Sequence, residues 1–394
     1  MEYFVMNFAR RKKIFSGLAV ASFLLIGVFL FRFTMMPHPP KIERATYFSY
    51  SVNEITALKT IFPTGDMTLH ELLAWDDKLF QLVASHQYPD TTASRIYAYV
   101  LIAQHDAATL SYNTYGTYKG NVTSVSKEVL CLLVPDNCTA LTEDIRIGGF
   151  PAEDAYGKAL SDIVLKKVAA RIDEEHARRD SYPGIFSSDA IGVETAGWKL
   201  WTLPDRTQFR ATPRIVEVNK LTEESATRAP SLTDEQKQAV ASFTGGPGTK
   251  TSAGLWLEIA GVMLAKERAP LERALTMRSD LACALADGVI MTFDSKYNVG
   301  NSAPFSPDKH IALVTTPEYP SYPGLQATLA GVAEQVIGYY APDSDVFLAR
   351  YVNNAKNATN WAGINFAIDN EEGYSVGKKI GTVAIEALHA QEKK

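Results

Sequence analysis

Apolar side chains recur at helical spacing along nearly the whole chain from residue 46 onward, with no regular series of alternating strands. The spacing predicts helices over residues 69–84, 93–110, 152–178, 233–243, 255–267, 271–297, 325–340 and 373–390. Starts and stops agree with this reading. Thr233 and Gln236 have capping-box spacing, and Gly245-Gly246-Pro247-Gly248 ends one helix before the next begins. The expected fold class is therefore all-α, a helical bundle. Stretches 146–156 and 181–229, richer in Gly, Pro and polar residues, are expected to be long connections across the helical layer.

Residues 14–31 form a different kind of segment, 18 uncharged and mostly apolar positions. At 1.5 Å per residue they make about 27 Å of helix, close to the roughly 30 Å of a bilayer core. Arg10, Arg11, Lys12 and Lys13 precede them and only Arg32 follows closely, so the positive-inside bias places the N-terminus in the cytoplasm. The expected organisation is a basic cytoplasmic tail over 1–13, a transmembrane signal anchor over 14–33, a Pro-rich linker over 34–45 and an extracytoplasmic body over 46–394. A cleaved secretory signal is the rival reading; its apolar core is usually 7–15 residues, and residues 31–36 offer no small-x-small cleavage site. With 46% hydrophobic and 21% charged residues the body is that of a folded protein, and a net charge of -5 with no dense basic run beyond residue 13 argues against nucleic acid as a partner.

Three cysteines are present. In an oxidising exterior Cys131 and Cys138 can close a small loop and leave Cys283 as a buried thiol on an apolar helix; three unpaired thiols are the alternative. Two carboxylates, Asp106 and Asp287, sit inside apolar helices and are each followed nine residues later by a polar residue, Tyr115 and Lys296. An unpaired buried carboxylate costs several kcal/mol, so each is expected to accept hydrogen bonds from loop backbone.

Several chemistries lack an anchor. No two of the seven histidines stand four residues apart, and His70-Glu71 has no second histidine, so a zincin site is absent. Gly245 to Thr251 resembles a phosphate loop only superficially, because a helix precedes it and Thr249 separates glycine from Lys250. No Gly-x-Ser-x-Gly elbow occurs. Asn121-Val122-Thr123 and Asn357-Ala358-Thr359 are glycan acceptors only in a eukaryotic secretory route.

Four collinear stretches across residues 90–390 carry a resemblance. They are Ala93 to Val100 with Asp106-Ala107; Leu232 to Gln236 with Gly246 to Thr249 and Trp256-x-Glu258-Ile259-Ala260; Ala286-Asp287 with Asp294-Ser295-Lys296-Tyr297; and Tyr319-Pro320-Ser321-Tyr322-Pro323 with Ala327-Thr328, Gly363-Ile364, Asp369-Asn370-Glu371 and Gly373. Together they resemble the superfamily of vanadium-dependent haloperoxidases and type 2 phosphatidic acid phosphatases, which implies a helical bundle with an oxyanion pocket. The family pattern is Lys, six residues, Arg-Pro; then Pro-Ser-Gly-His; then Ser-Arg, three residues, Gly-x-His. Its cations and donors hold a tetrahedral anion, and its last histidine attacks phosphorus or ligates vanadium.

This chain keeps Lys296 but has Ala303-Pro304, Gly324-Leu325-Gln326, Ala358-Thr359 and Gly363-Ile364-Asn365 at the other positions. Two lost guanidinium contacts at about 1.5–3 kcal/mol each weaken anion affinity by roughly 10² to 10⁴. Asn365 has no basic ring nitrogen, and Gln326 cannot carry a proton near neutral pH. No vanadate or other cofactor is expected. The resemblance thus implies a membrane-anchored, non-catalytic binding or scaffold protein whose partner is a small molecule or an envelope protein. An alternative is altered chemistry in a remnant pocket of Lys296, Gln326, Asn365 and Tyr297. A third reading recruits His310 and Asp308 in place of the missing imidazole. Asp369, Glu371 and Glu372 have a structural reason to stand at a helix start.

Overall fold

A computed structural model describes residues 45–181, 192–212, 232–298 and 319–390, which pack as one compact unit. The apolar segment 14–31 lies outside the described residues, and no described helix is long and apolar enough to cross a membrane. In chain order the helices are α1 (Val52–Leu58), α2 (Leu69–Ser85), α3 (Asp90–Tyr115), α4 (Thr123–Leu133), α5 (Cys138–Ile147), α6 (Ala155–Ser181), α7 (Asp234–Phe243), α8 (Thr251–Lys266), α9 (Leu271–Asn298), α10 (Leu325–Tyr340), α11 (Asp345–Trp361) and α12 (Ala367–Leu388). Among the described residues the backbone pairs in strand fashion only at an isolated bridge between Asp66 and Lys119. The all-α expectation holds.

Local chemistry explains the helix ends. Ser51 and Thr233 each form the reciprocal capping box with the residue three positions on, Glu54 and Gln236. The helix α3 stops at Gly116, whose φ of 73° closes the last turn in the left-handed region. Apolar spacing locates α10 to the residue but misses the first turns of α3, α8 and α12, where polar residues precede the apolar stripe. It also misses α1, α4, α5 and α11. The first is short and mostly exposed, and α11 carries Asn353, Asn354, Asn357 and Asn360 among its alanines. Of the expected long connections, 192–212 is irregular with two 3₁₀ turns, while 182–191 and 213–231 lie outside the described residues.

The centre of the body is α9, buried from Ala274 to Lys296 and packed against α3 and α10. A helix enclosed on all sides must partner every polar side chain it carries, and α9 does so by pinning its neighbours. Arg278, 1% exposed, donates from Nε to Asp76 Oδ2 on α2 at 2.8 Å and from Nη2 to Leu72 O at 3.1 Å and Gln104 Oε1 on α3 at 3.0 Å. Gln104 in turn donates to Ser126 on α4 at 2.9 Å. Asp280 accepts from Tyr47, from Tyr340 on α10 at 2.5 Å, and lies 3.0 Å from His389 Nε2 at the end of α12.

Asp106 and Asp287 occupy matching roles. Asp106 on α3 accepts from the backbone N–H of Tyr47 and Phe48, at 2.8 and 3.0 Å, and from the Tyr50 hydroxyl at 2.9 Å. Asp287 on α9 accepts from the N–H of Trp201 and Thr202 at 2.8 Å each and from Thr202 Oγ1 at 2.7 Å. Both buried carboxylates take loop backbone, as their setting in apolar helices requires. Cys131 and Cys138 are joined in a disulfide, and Cys283 is a buried free thiol. In the first sequon Asn121 and Thr123 are buried; in the second Thr359 is fully buried in α11 while Asn357 is only partly buried.

The Arg278–Asp76 pair is the most exacting of these contacts, since removing one partner strands the other charge away from water. Burial already pushes the Asp76 carboxyl up, and Arg278 pulls it back. We expect Arg278→Ala to destabilise the fold by about 3–5 kcal/mol, and Arg278→Met with Asp76→Leu to recover most of that loss, as read by urea unfolding.

Candidate functional site

The last turn of α9 brings Lys296 to the junction of α9, α10, α11 and α12. Its neighbours fix that turn: Asp294 accepts from Arg210 Nε at 2.6 Å, and Ser295 Oγ accepts from Ala211 N at 3.0 Å. Lys296 itself is 2% exposed and donates to three carbonyls, Pro320 O at 2.6 Å, Pro323 O at 2.7 Å and Ser321 O at 3.1 Å. Its Nζ also stands 5.0 Å from the centre of the Tyr319 ring. An ammonium has three N–H donors, and all three are used. Burial pushes Lys296 down to about 7, against which the Asp369 carboxylate pulls upward.

Gln326 and Asn365 are likewise engaged within the protein. Gln326, in the first turn of α10, donates from Nε2 to Thr244 O at the end of α7 at 3.0 Å. Asn365, between α11 and α12, donates from Nδ2 to Asn370 Oδ1 at 3.0 Å, and Thr359 Oγ1 donates to the same oxygen at 3.0 Å. This amide knot lies against Gly324. A Cβ at Gly324 would stand 2.3 Å from Asn370 Oδ1 and 2.9 Å from Asn365 Nδ2. Lys296 and Asn365 thus meet the same short segment, residues 320–324, whereas Gln326 turns to the α7–α8 loop. The α10–α12 crossing leaves little slack, because a Cβ at Gly377 would meet Thr328 O at 2.0 Å.

The remaining candidates divide. Tyr297 is half-buried beside the site, and burial, with Glu194, pushes its hydroxyl up. Ala303, Pro304, Asp308 and His310 lie outside the described residues. Asp369 stands in the first turn of α12, the helix start expected for it, and accepts from the N–H of Phe366 at 2.9 Å.

A second polar group adjoins the site, and no distinct motif marks it in the sequence. Asp90, buried at the start of α3, is pushed up to about 6 by burial and accepts from Ser252 N at 3.3 Å. Thr91 Oγ1 donates to Glu194 at 2.5 Å. Thr251, a β-branched residue, has φ of 62°, a conformation that costs on the order of 1–3 kcal/mol. Its hydroxyl and that of Ser252 are buried without a hydrogen-bond partner. An acid directly after a proline at a helix start reads simply as a first-turn carboxylate, so its burial was not legible.

No family model matches the chain, and no curated protein matches it. Solved structures do. The crystal structure of a bacterial vanadium-dependent iodoperoxidase superposes with a TM-score of 0.68 at 17% identity, over 83% of this chain and 98% of the other. A holo-type bacterial vanadium-dependent chloroperoxidase superposes with a TM-score of 0.64 at 12% identity, over 85% and 100%. The chain therefore has the all-α fold of the vanadium-dependent haloperoxidases.

Two outcomes follow from the packing. Gly324→Ser should destabilise the fold by about 1–3 kcal/mol, as overpacking of an ordered site does, with partial relief when Asn370→Ala is added; urea midpoints read this. Between about pH 7 and 10.5 the unfolded chain holds a proton on Lys296 that the folded chain has released, so this residue makes stability rise with pH across that window. Lys296→Met should flatten that rise relative to the parent, measured as unfolding free energy against pH.

Proposed function

We propose that the chain is a non-catalytic, membrane-tethered protein of haloperoxidase fold whose body binds or scaffolds on the outer side of the membrane. The observation that carries this reading is the Lys296 cage: as an ammonium it spends every N–H on Pro320, Ser321 and Pro323 carbonyls, and as a neutral amine it carries no charge, so in neither state does it have a cation's N–H to offer a tetrahedral anion. The residues around it do not fit vanadate or phosphate. Gly324 has no side chain and no room for one, Asn365 and Asn370 occupy the space beside it, and Asn365 lacks the imidazole nitrogen that would attack or ligate.

The tether rests on residues 14–31 and the four cations before them. The Cys131–Cys138 disulfide supports an oxidising compartment for the body. The partner class is an envelope protein or a small molecule.

One observation favours altered chemistry at the same place. A buried lysine pushed down to about 7 has the property an acid–base lysine needs. Its three carbonyl partners weigh against this, because a group so enclosed has no path to a substrate atom.

The test is calorimetry of orthovanadate and phosphate against the full chain in detergent micelles, with phosphomonoester hydrolysis and halide oxidation assayed on the same sample. We expect no binding tighter than millimolar and no turnover, unchanged in Asn365→His. Micromolar vanadate affinity, or turnover that disappears in Lys296→Ala, overturns the reading.

A further inference from the structure

The last turn of α12 meets the central helix at a buried group of titratable side chains, about 24 Å along α9 from Lys296. Asp280, 2% exposed, accepts from the hydroxyls of Tyr47 and Tyr340, the latter at 2.5 Å. His389 Nε2 lies 3.0 Å from Asp280 Oδ2 and 2.8 Å from the Tyr340 oxygen. The other ionised groups of α9 have permanent counter-ions: Arg278 has Asp76 and Asp294 has Arg210. Asp280 differs. Among the described residues no lysine or arginine pairs with it, and the side chain beside it that can become a cation is His389.

The position of His389 favours the imidazolium in three ways. The residue caps the C-terminal end of α12, a helix of 22 residues, where the dipole stabilises positive charge. Its ring stacks on Tyr339, with centroids 5.0 Å apart and planes 27° off parallel, which suits a cation against an aromatic face. Its Nε2 points at a carboxylate, and contact with an opposite charge favours the charged form. Burial opposes an isolated charge, but protonation here turns an uncompensated carboxylate into a neutral pair. The Tyr340 hydroxyl adapts to either state, since its oxygen both donates and accepts.

The titratable groups around the ring come from each element packed there. They are Asp280 on α9, with Cys283 one turn on; Tyr339 and Tyr340 on α10; Tyr47 ahead of α1; and the exposed Glu386 on α12 itself. All are acids. None competes with His389 as the cation for Asp280.

We propose that His389 is a pH-sensitive latch: protonated, it clamps the end of α12 to Asp280 on α9, and neutral, it allows that last turn to open. A histidine that gains a carboxylate on folding titrates above its free value of about 6.5, so the clamp is complete below that pH and fades as pH climbs through the folded value. Asp280 also holds the Tyr47 hydroxyl, so the latch acts where the entry of the body and the end of its last helix share one carboxylate. The inference rests neither on the Lys296 cage nor on the tether.

Hydrogen exchange over the last turn of α12, with NMR titration of the His389 ring on the full chain in micelles, tests it. Protection of that turn, corrected for the intrinsic pH dependence of exchange, should be about tenfold greater near pH 5.5 than near pH 8.5, a factor that one unit of raised pKa supplies. His389→Gln, which keeps a donor but cannot carry charge, should abolish the difference, and its spectrum assigns the ring signal in the parent. The ring should titrate above about 6.5. A midpoint at or below that value overturns the proposal, as does equal protection at both pH values or a pH dependence that persists in His389→Gln.

Discussion

Everything in this fold is arranged around the need of one enclosed helix to partner its polar side chains. Arg278, Asp280, Asp287, Asp294, Ser295 and Lys296 all lie on α9, all are buried, and all are satisfied by groups distant in sequence. Burying an ionised group without a partner costs several kcal/mol, so each of these side chains selects which segment lies beside it. The hydrophobic contacts of α9 with α3 and α10 are non-directional. The polar ones fix register, and through them the 195–212 connection and the 320–324 turn take up single positions.

The same logic accounts for the state of the site. A lysine at the end of such a helix must be neutral or fully hydrogen-bonded, and the turn between Tyr319 and Gly324 supplies the acceptors. Once small and neutral residues stand at 324, 326 and 365, the neighbouring amides close on one another. Thr359, Asn365 and Asn370 converge on one oxygen, and Gln326 ties α10 to the end of α7. The Lys296 region is then a packed junction that joins four helices.

Much of this was legible in the sequence, and the remainder was hidden for a definable reason. Apolar period located α10 and α9 closely, and two acids inside apolar helices announced Asp106 and Asp287 as acceptors for loop backbone. Helix α11 has four asparagines among its alanines and α1 is a single short, mostly exposed stretch, so neither offers the dense apolar run that marks α10. The partners of Lys296 were not readable at all, because backbone carbonyls carry no sequence signature. The spacing of Cys131 and Cys138 allows them to be paired or free, and the structure joins them.

The Tyr47 contacts have a mechanical meaning. Its amide and that of Phe48 are gripped by Asp106, while its hydroxyl shares Asp280 with Tyr340 and lies on the same carboxylate as His389 near the other end of the chain. Traction applied upstream of Tyr47 would load two carboxylates on adjacent buried helices in parallel. The force would enter the middle of the bundle and be shared with the C-terminal helix, so peeling from the edge is the harder route and the body should yield as a whole.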